Sequence, residues 1–142
     1  MSHLTKEVSI DELSDFIEEV IEFSDDIKVF LLRGDLASGK TTFVKEFVKQ
    51  TGSNECVTSP TFSVQNVYDG KVFHYDIYQK GVENFLSEGL LEELDKEGYH
   101  FVEWADDRFE KLMDNFFIDY VTIDIEKAGQ NKRVYKVKKC IH

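Results

Sequence analysis

Gly34-Asp35-Leu36-Ala37-Ser38-Gly39-Lys40-Thr41 is the stretch that decides the fold, because it matches the phosphate-binding pattern G-x-x-x-x-G-K-[ST] in full. An apolar run of strand length, residues 27–32, leads into it. The segment after it carries apolar residues at helical spacing, namely Phe43, Val44, Phe47 and Val48. The alternative is a chance match within an ordinary strand, turn and helix. The matching context favours a P-loop.

The chemistry of phosphate binding explains each part of this motif. Gly34 and Gly39 let the loop curl so that backbone N–H groups point at phosphate oxygens, and the following helix adds its positive end. We expect Lys40 to contact the β and γ phosphates of ATP, Thr41 to offer its hydroxyl to Mg²⁺, and Thr42 to reach the α phosphate. The predicted nucleotide site comprises Gly34, Ala37, Ser38, Gly39, Lys40, Thr41 and Thr42.

Two acidic residues stand where such a site needs them. Glu103 ends the apolar run 99–102, which is the position of an acid that holds the metal ion. An ordinary solvent-facing glutamate at a strand end is the alternative. Asp76 shares one face of a predicted strand with His74 and Tyr78, because side chains alternate along a strand. This row could orient water or a metal ion, or it could be a structural hydrogen-bonded row.

The segment Ser59-Pro60-Thr61-Phe62 holds the sole proline of the chain. Pro60 would stiffen this loop, and Thr61 would present its hydroxyl to the γ phosphate, as a threonine in this region does in many P-loop proteins. A plain turn before a strand is the alternative. Thr61 is therefore a candidate catalytic residue together with Asp76 and Lys40.

The remaining sequence predicts helices and strands around this core. Residues 9–12 have the form of a capping box before an amphipathic helix, and Asp69-Gly70 predicts a two-residue hairpin turn. The further predictions are strands over 62–68, 71–78, 99–104, 117–125 and 133–141, one helix over 82–94, and a short helix around 109–113. We predict an α/β fold, a P-loop NTPase-like three-layer core with a mixed sheet and added antiparallel hairpins, in a single domain over residues 1–142.

The composition limits the possible functions. The net charge of −11 argues against a protein that mainly grips nucleic acid by itself. The basic tail is an exception that suits a solvated strand face or a contact with an acidic partner or RNA (Lys132, Arg133, Lys136, Lys138 and Lys139). Cys56 and Cys140 lie far apart and fit two reduced thiols. The sequence has no apolar run that could span a bilayer and begins without a signal peptide pattern, so we expect a cytoplasmic protein.

Four stretches together resemble the TsaE (YjeE) family of bacterial P-loop ATPases, which is needed to make threonylcarbamoyladenosine in tRNA. They are residues 34–43, 58–62, 74–78 and 102–104. The resemblance implies that ATP binds at the P-loop, that Thr41 and Glu103 hold Mg²⁺, that Asp76 supports hydrolysis, and that Thr61 belongs to a switch-like loop. It implies TsaD and TsaB as partners, with any contact to tRNA made through that complex. The family layout places the adenine near Ser9 and Ile10, and Trp104 is interpreted as a packing aromatic.

The chain departs from the family pattern at three points. Ala37 stands where the family usually has glycine, and alanine tolerates a positive φ poorly. Gln79 replaces the arginine that usually follows the H-x-D-x-Y motif, and Lys80 lacks the planar fork of arginine. The late Gly-Arg of the family appears here as Gly129-Gln130, so that Arg133 is the nearest cation.

Other classes of protein remain as alternatives. A small-molecule kinase is disfavoured because the chain has three arginines, Arg33, Arg108 and Arg133. A GTPase is disfavoured because the match to D-x-x-G at residues 95–98 ends a predicted helix, and no N-K-x-D follows a strand. A nucleotide-dependent scaffold stays open, since no arginine stands at an obvious finger position, which predicts weak ATPase activity alone.

Overall fold

The computed structural model describes residues 3–35, 37–58, 65–78 and 81–142. The strands are β1 (His3–Ser9), β2 (Val29–Arg33), β3 (Gln65–Tyr68), β4 (Val72–Asp76), β5 (Tyr99–Glu103), β6 (Tyr120–Lys127) and β7 (Lys132–Cys140). The helices are α1 (Leu13–Ser24), α2 (Lys40–Gln50), α3 (Gly81–Ser87), α4 (Leu90–Glu93) and α5 (Asp107–Asn115), with a 3-10 turn, Ile10–Glu12, before α1. Over the described ranges the strands form one sheet in the order β1-β7-β6-β2-β5-β4-β3.

The centre of the sheet is parallel. β2 lies between β5 and β6, and β4 continues the parallel set beyond β5. Residues 29–32 of β2 are all buried, as expected for a strand covered on both faces, and this explains the continuous apolar run in the sequence. Because parallel strands end at the same edge, the chain brings the ends of β2, β5 and β4 together at Arg33, Glu103 and Asp76.

Antiparallel strands extend the sheet at both sides. β6 and β7 form a hairpin, and β1 pairs with the outer edge of β7. β3 pairs with β4 through a turn in which Asp69 and Gly70 have φ of 52° and 66°. The pairing of Tyr68 with Val72 makes this loop three residues long, not two as predicted, because Lys71 belongs to the turn and donates its N–H to the Tyr68 carbonyl at 3.0 Å.

Helices cover both faces of the parallel strands. α1 and α2 contribute Phe16 and Phe43 to the cluster that buries one face, and α5 contributes Phe109 and Met113 to the cluster on the other face. These clusters confirm the predicted mixed sheet between two helical layers, with antiparallel strands added to it. A search of the described residues finds no helix both long and apolar enough to cross a membrane.

Several element predictions were wrong in detail. The single helix predicted over 82–94 is two helices, α3 and α4, because the chain turns at Gly89 with φ of 72°. The predicted strand 117–125 begins at Tyr120, after Phe117 with φ of 55°. Ile141 is 66% exposed and lies beyond β7, not on its buried face. β1 was not predicted at all, and residues 62–64 of the predicted strand lie outside the described residues.

Candidate functional site: a cleft at the carboxyl edge of the parallel strands

The candidate site is a cleft of about 450 Å³ at the edge where the parallel strands end. The glycine-rich loop, residues 34–41, leaves β2 there and enters α2. Glu103 and Asp76, the last residues of β5 and β4, line the same cleft. Trp104 and Tyr78, which follow those two strands, line it as well. Clefts of this kind, at the carboxyl ends of strands in an α/β sheet, are the usual location of ligand sites.

Close packing and backbone conformation account for both glycines of the loop. Gly34 has φ of 153°, and a Cβ there would lie 2.6 Å from the Ile125 carbonyl oxygen and 2.6 Å from the Ser38 hydroxyl. Gly39 has φ of 111° and caps the start of α2. Ala37 stands where the family usually has glycine, and it adopts a positive φ of 60°. This conformation is strained for alanine.

Lys40 is 4% exposed, and its ammonium group lies inside the glycine-rich loop. Nζ donates to the carbonyl oxygens of Gly34 at 2.6 Å and Asp35 at 3.0 Å. It also lies 3.9 Å from the centre of the Trp104 ring, which makes a cation–π contact. Burial lowers the pKa of Lys40, and the carboxylates of Glu103 and Asp76 oppose that shift.

Glu103 is 2% exposed, so it is not the solvent-facing glutamate of the alternative interpretation. The Thr41 hydroxyl donates to its carboxylate, with oxygen–oxygen distances of 2.9 and 3.2 Å. Nε2 of buried His74 contacts the same carboxylate. Hydroxyl and carboxylate oxygens side by side are the donor set that Mg²⁺ prefers.

Thr41 and Glu103 suit an Mg²⁺ ion that is shared with a phosphate ligand better than a metal ion whose ligands all come from protein side chains. Within the described ranges no group of three or more His, Cys, Asp or Glu side chains could hold a metal ion. Mg²⁺ is usually bound through one or two carboxylates together with substrate phosphates and water. Thr41 and Glu103 match that mode of binding, and the rest of the coordination would come from a phosphate ligand and water.

Asp76 and two aromatic side chains form the wall of the cleft opposite the loop. The Asp76 carboxylate accepts the backbone N–H of Tyr78 at 2.9 Å. The Tyr78 ring packs on Trp104 with centroids 4.4 Å apart, and Trp104 holds an uncommon positive φ of 67°. Trp104 is therefore a packing aromatic, as predicted, and its packing partners are Lys40 and Tyr78 at the cleft.

Arg133 reaches the glycine-rich loop from β7, where sequence reasoning did not place it. Its Nε donates to the Ser38 carbonyl at 2.7 Å, and the side chain lines the cleft. It also lines a smaller groove of about 100 Å³ beside Ser9, Ile10 and Thr42. The 95 residues that separate Arg133 from Ser38 in the chain explain why no local pattern signalled this contact.

The structure brings together all of the predicted site residues that it describes. Those that line the cleft are Ala37, Ser38, Gly39, Lys40, Thr41, Thr42, Asp76 and Glu103, and Gly34 lies at the entrance of the loop. Thr61 lies outside the described residues, as do Gln79 and Lys80. His74 and Asp76 share one face, as the alternation predicted, since both lie on the α2 side near Glu103 and Lys40.

Comparison with known proteins decides the family. The family model for the threonylcarbamoyl adenosine biosynthesis protein TsaE matches residues 7–135. The chain belongs to the TsaE family. It is 32% identical to the tRNA threonylcarbamoyladenosine biosynthesis protein TsaE of Aquifex aeolicus in an alignment of 145 positions, which covers 94% of this chain and 96% of that protein.

Further relatives agree with the TsaE assignment. The TsaE protein of Bacillus subtilis is 36% identical over 108 residues, 74% of this chain and 65% of that protein. The crystal structure of Bacillus subtilis YdiB superposes with a TM-score of 0.70 and 26% identity, covering 98% of this chain and 87% of that one. The TsaE family takes part in tRNA threonylcarbamoyladenosine biosynthesis, and the matched region contains every predicted site residue from Gly34 to Glu103.

Proposed function

We propose that this TsaE-family protein binds ATP with Mg²⁺ at the glycine-rich loop and hydrolyses it slowly, as an accessory protein for threonylcarbamoyladenosine formation at position 37 of tRNA. The observation that carries the proposal is the contact between Thr41 and buried Glu103, 2.9 Å apart, beside Lys40. In P-loop NTPases, the residues that correspond to these three hold the metal ion and the phosphates. The P-loop NTPase-like interpretation of the fold is part of this proposal.

ATP would lie with its phosphates in the glycine-rich loop. The first N–H groups of α2 have no partner within the helix and are available to phosphate oxygens, and the helix dipole adds to the attraction. The ammonium of Lys40 now contacts two loop carbonyls, and these are weaker partners than a phosphate. We expect Lys40 to exchange them for the β and γ phosphates.

The adenosine part would extend toward α1. The groove of about 100 Å³ beside Ser9 and Ile10 borders Gly39 and Thr42, so it continues from the end of the loop where the α phosphate would lie. Ile10 is 54% exposed, and an exposed apolar side chain in a groove suits a flat base. This location agrees with the adenine position that the family layout implied.

Hydrolysis would use Asp76. Its carboxylate lines the cleft, close enough to act on the electrostatics of Lys40. Bound Mg²⁺ would neutralise developing charge on the phosphate oxygens. Asp76 would accept a hydrogen bond from the attacking water and orient it. Thr61 remains a predicted γ-phosphate contact.

Isothermal titration calorimetry tests nucleotide binding directly. The purified chain should bind ATP or ADP with Mg²⁺ and should bind GTP more weakly. Lys40→Ala should lower that affinity by at least about tenfold, because a charge-assisted contact to phosphate is lost. Lys45→Ala is the matched control, since Lys45 is an exposed lysine of the same helix. Absence of heat from the unmodified chain with Mg²⁺ and ATP would refute the proposal.

The partners in this proposal are TsaD and TsaB, the proteins that carry the transfer chemistry. A pull-down with both proteins, with and without ATP, should show nucleotide-dependent capture. The ATPase rate should rise when both are added, because a partner can supply the transition-state contacts that slow P-loop enzymes lack. Capture without any change in rate would favour the nucleotide-dependent scaffold. The cytoplasmic location stays a prediction.

A further inference from the structure

His74 is a fully buried polar side chain in contact with the candidate metal acid. It lies on β4 with 0% exposure, and its Nε2 contacts Oε2 of Glu103. Its other nitrogen, Nδ1, lies 3.2 Å from the hydroxyl oxygen of Tyr68. Phe101, its register partner on β5, and Val72, two residues before it on β4, belong to the apolar cluster on this face of the sheet. A buried imidazole costs free energy there unless both ring nitrogens have partners.

The partners on each side determine which nitrogen donates. A carboxylate can only accept, so the contact with Glu103 requires that His74 donates from Nε2. At the other nitrogen, the single proton of the Tyr68 hydroxyl has two acceptors within reach, Nδ1 of His74 and the Thr58 carbonyl. Burial raises the pKa of Tyr68, so this hydroxyl keeps its proton. The Tyr68 hydroxyl donates to the Thr58 carbonyl at 3.1 Å, and the same carbonyl accepts from the Asn66 amide at 3.2 Å.

These contacts form one connected chain that ends at the phosphate cleft. Tyr68 contacts His74, His74 donates to Glu103, and Glu103 accepts from Thr41. Strand register supports the chain, since Asp76 pairs with Glu103 and His74 precedes Asp76 by two residues on the same face. The Glu103 carboxylate is thus held between a fixed ring on one side and Thr41 on the other.

We infer that His74 is a positioning residue that holds the Glu103 carboxylate in the orientation needed to bind Mg²⁺ together with Thr41. This inference rests on the proposed function. Groups that hydrogen-bond to a metal ligand fix its direction, and their loss typically lowers metal affinity or activity by about 10–100-fold. Tyr68 supports His74 in turn by holding its ring in place.

Two conservative variants separate the two contacts of the ring. The amide nitrogen of a glutamine can occupy the place of Nε2, so His74→Gln keeps a donor toward Glu103. The shorter asparagine reaches only the region of Nδ1, so His74→Asn loses it. Calorimetry of ADP with excess Mg²⁺ and with EDTA gives the Mg²⁺ enhancement of affinity for each protein. Thermal unfolding without nucleotide shows whether each variant is folded.

We expect His74→Gln to keep most of the Mg²⁺ enhancement and His74→Asn to lose about tenfold or more of it. The ADP affinity in EDTA should stay the same in both, because Lys40 and the loop are untouched. Tyr68→Phe keeps the packing of the ring and removes the hydroxyl. It should lower the Mg²⁺ enhancement by a smaller factor in the same direction.

Several outcomes would overturn this assignment. Unchanged Mg²⁺ enhancement in His74→Asn, or equal losses in His74→Asn and His74→Gln, would leave His74 a packing role alone. If neither His74 variant folds, unchanged enhancement in Tyr68→Phe would decide against the chain of contacts. If the unmodified protein binds ADP but gains nothing from Mg²⁺, the metal site itself is refuted. Absence of any nucleotide binding would refute the proposed function, and this inference with it.

Discussion

Two residues with left-handed backbone line the candidate nucleotide cleft. Ala37 has φ of 60° on the glycine-rich loop, and Trp104 has φ of 67° just after β5. Such conformations cost about 1–3 kcal/mol and persist where surrounding contacts hold them. Trp104 is held by its N–H, which donates to the Leu32 carbonyl at 3.1 Å, and by its ring on Lys40 and Tyr78. Both strained residues line the candidate cleft.

Ala37→Gly should stabilise the protein by about 1 kcal/mol, because glycine adopts a positive φ without the Cβ penalty. The free energy of unfolding in urea measures this change. Ala128→Gly is the matched control, since Ala128 does not have a positive φ. It should lose about 0.5–1 kcal/mol, the usual entropic cost of glycine. Equal losses in the two variants would mean that the backbone at position 37 carries no strain.

Glu103 and Asp76 should separate into two roles when each is removed. Glu103→Ala should weaken Mg²⁺-dependent ATP hydrolysis more than nucleotide binding, because Lys40 and the rest of the loop can still contact the phosphates. Asp76→Ala should lower the turnover rate and leave ATP bound. Parallel measurement of kcat and of the ATP dissociation constant distinguishes them. A large loss of affinity in Asp76→Ala would reassign Asp76 to binding.

At the scale of elements, the approach of β5 to the β3–β4 hairpin sets the position of Glu103. Gly98 precedes β5 with φ of 133°, and a Cβ there would lie 2.4 Å from the Lys71 carbonyl oxygen. That carbonyl accepts the N–H of Tyr99 at 2.9 Å, so the two backbones cannot move apart without losing the bond. Glycine at this position therefore lets β5 and β4 align with their acids side by side.

Gly98→Ala should cost about 2–5 kcal/mol, since it adds both an unfavourable φ and a clash with backbone. Gly129→Ala is the matched control, because Gly129 has the same φ of 133° but no atom within 4 Å of its added Cβ. It should cost only about 1–2 kcal/mol. Chemical denaturation of both variants gives the difference, and similar losses would show that the close approach to Lys71 is soft.

At the scale of the whole molecule, an acidic chain places two of its 17 lysine and arginine side chains at the candidate cleft. The net charge is −11, yet Lys40 and Arg133 both line the cleft, and both lie within contact distance of the glycine-rich loop. A polyphosphate approaching the protein would meet overall repulsion and local attraction. Neutralisation by Mg²⁺ would reduce the repulsion, which is a further reason to expect nucleotide and metal to bind together.

Bound nucleotide should stabilise the entire fold. A ligand present at 100 times its dissociation constant adds about 2.7 kcal/mol to the free energy of unfolding. For a chain of this size we expect the melting temperature to rise by about 5–15 °C with ATP and Mg²⁺. Differential scanning fluorimetry measures this shift. Lys40→Ala should show little of it, and an equal shift in that variant would mean that the nucleotide binds elsewhere.

The sequence by itself determined the glycine-rich loop, the buried strand before it, the helix after it, and the positions of Glu103 and Asp76. These features rest on local spacing, in which each residue type serves a conformation or contact within a few positions of the chain. The turn at Asp69-Gly70 was predicted for the same reason, although its loop proved one residue longer.

Only the tertiary structure decided which distant residues join that cleft. β1 was not predicted because Val8 is its one buried residue, so its sequence has no alternating apolar pattern. Its position in the sheet follows from pairing with β7. Arg133 and the partnership of His74 with Glu103 depend on strands that are adjacent in the sheet but remote in the chain. Strand order is set by the packing of both faces of the sheet, and no local spacing encodes it.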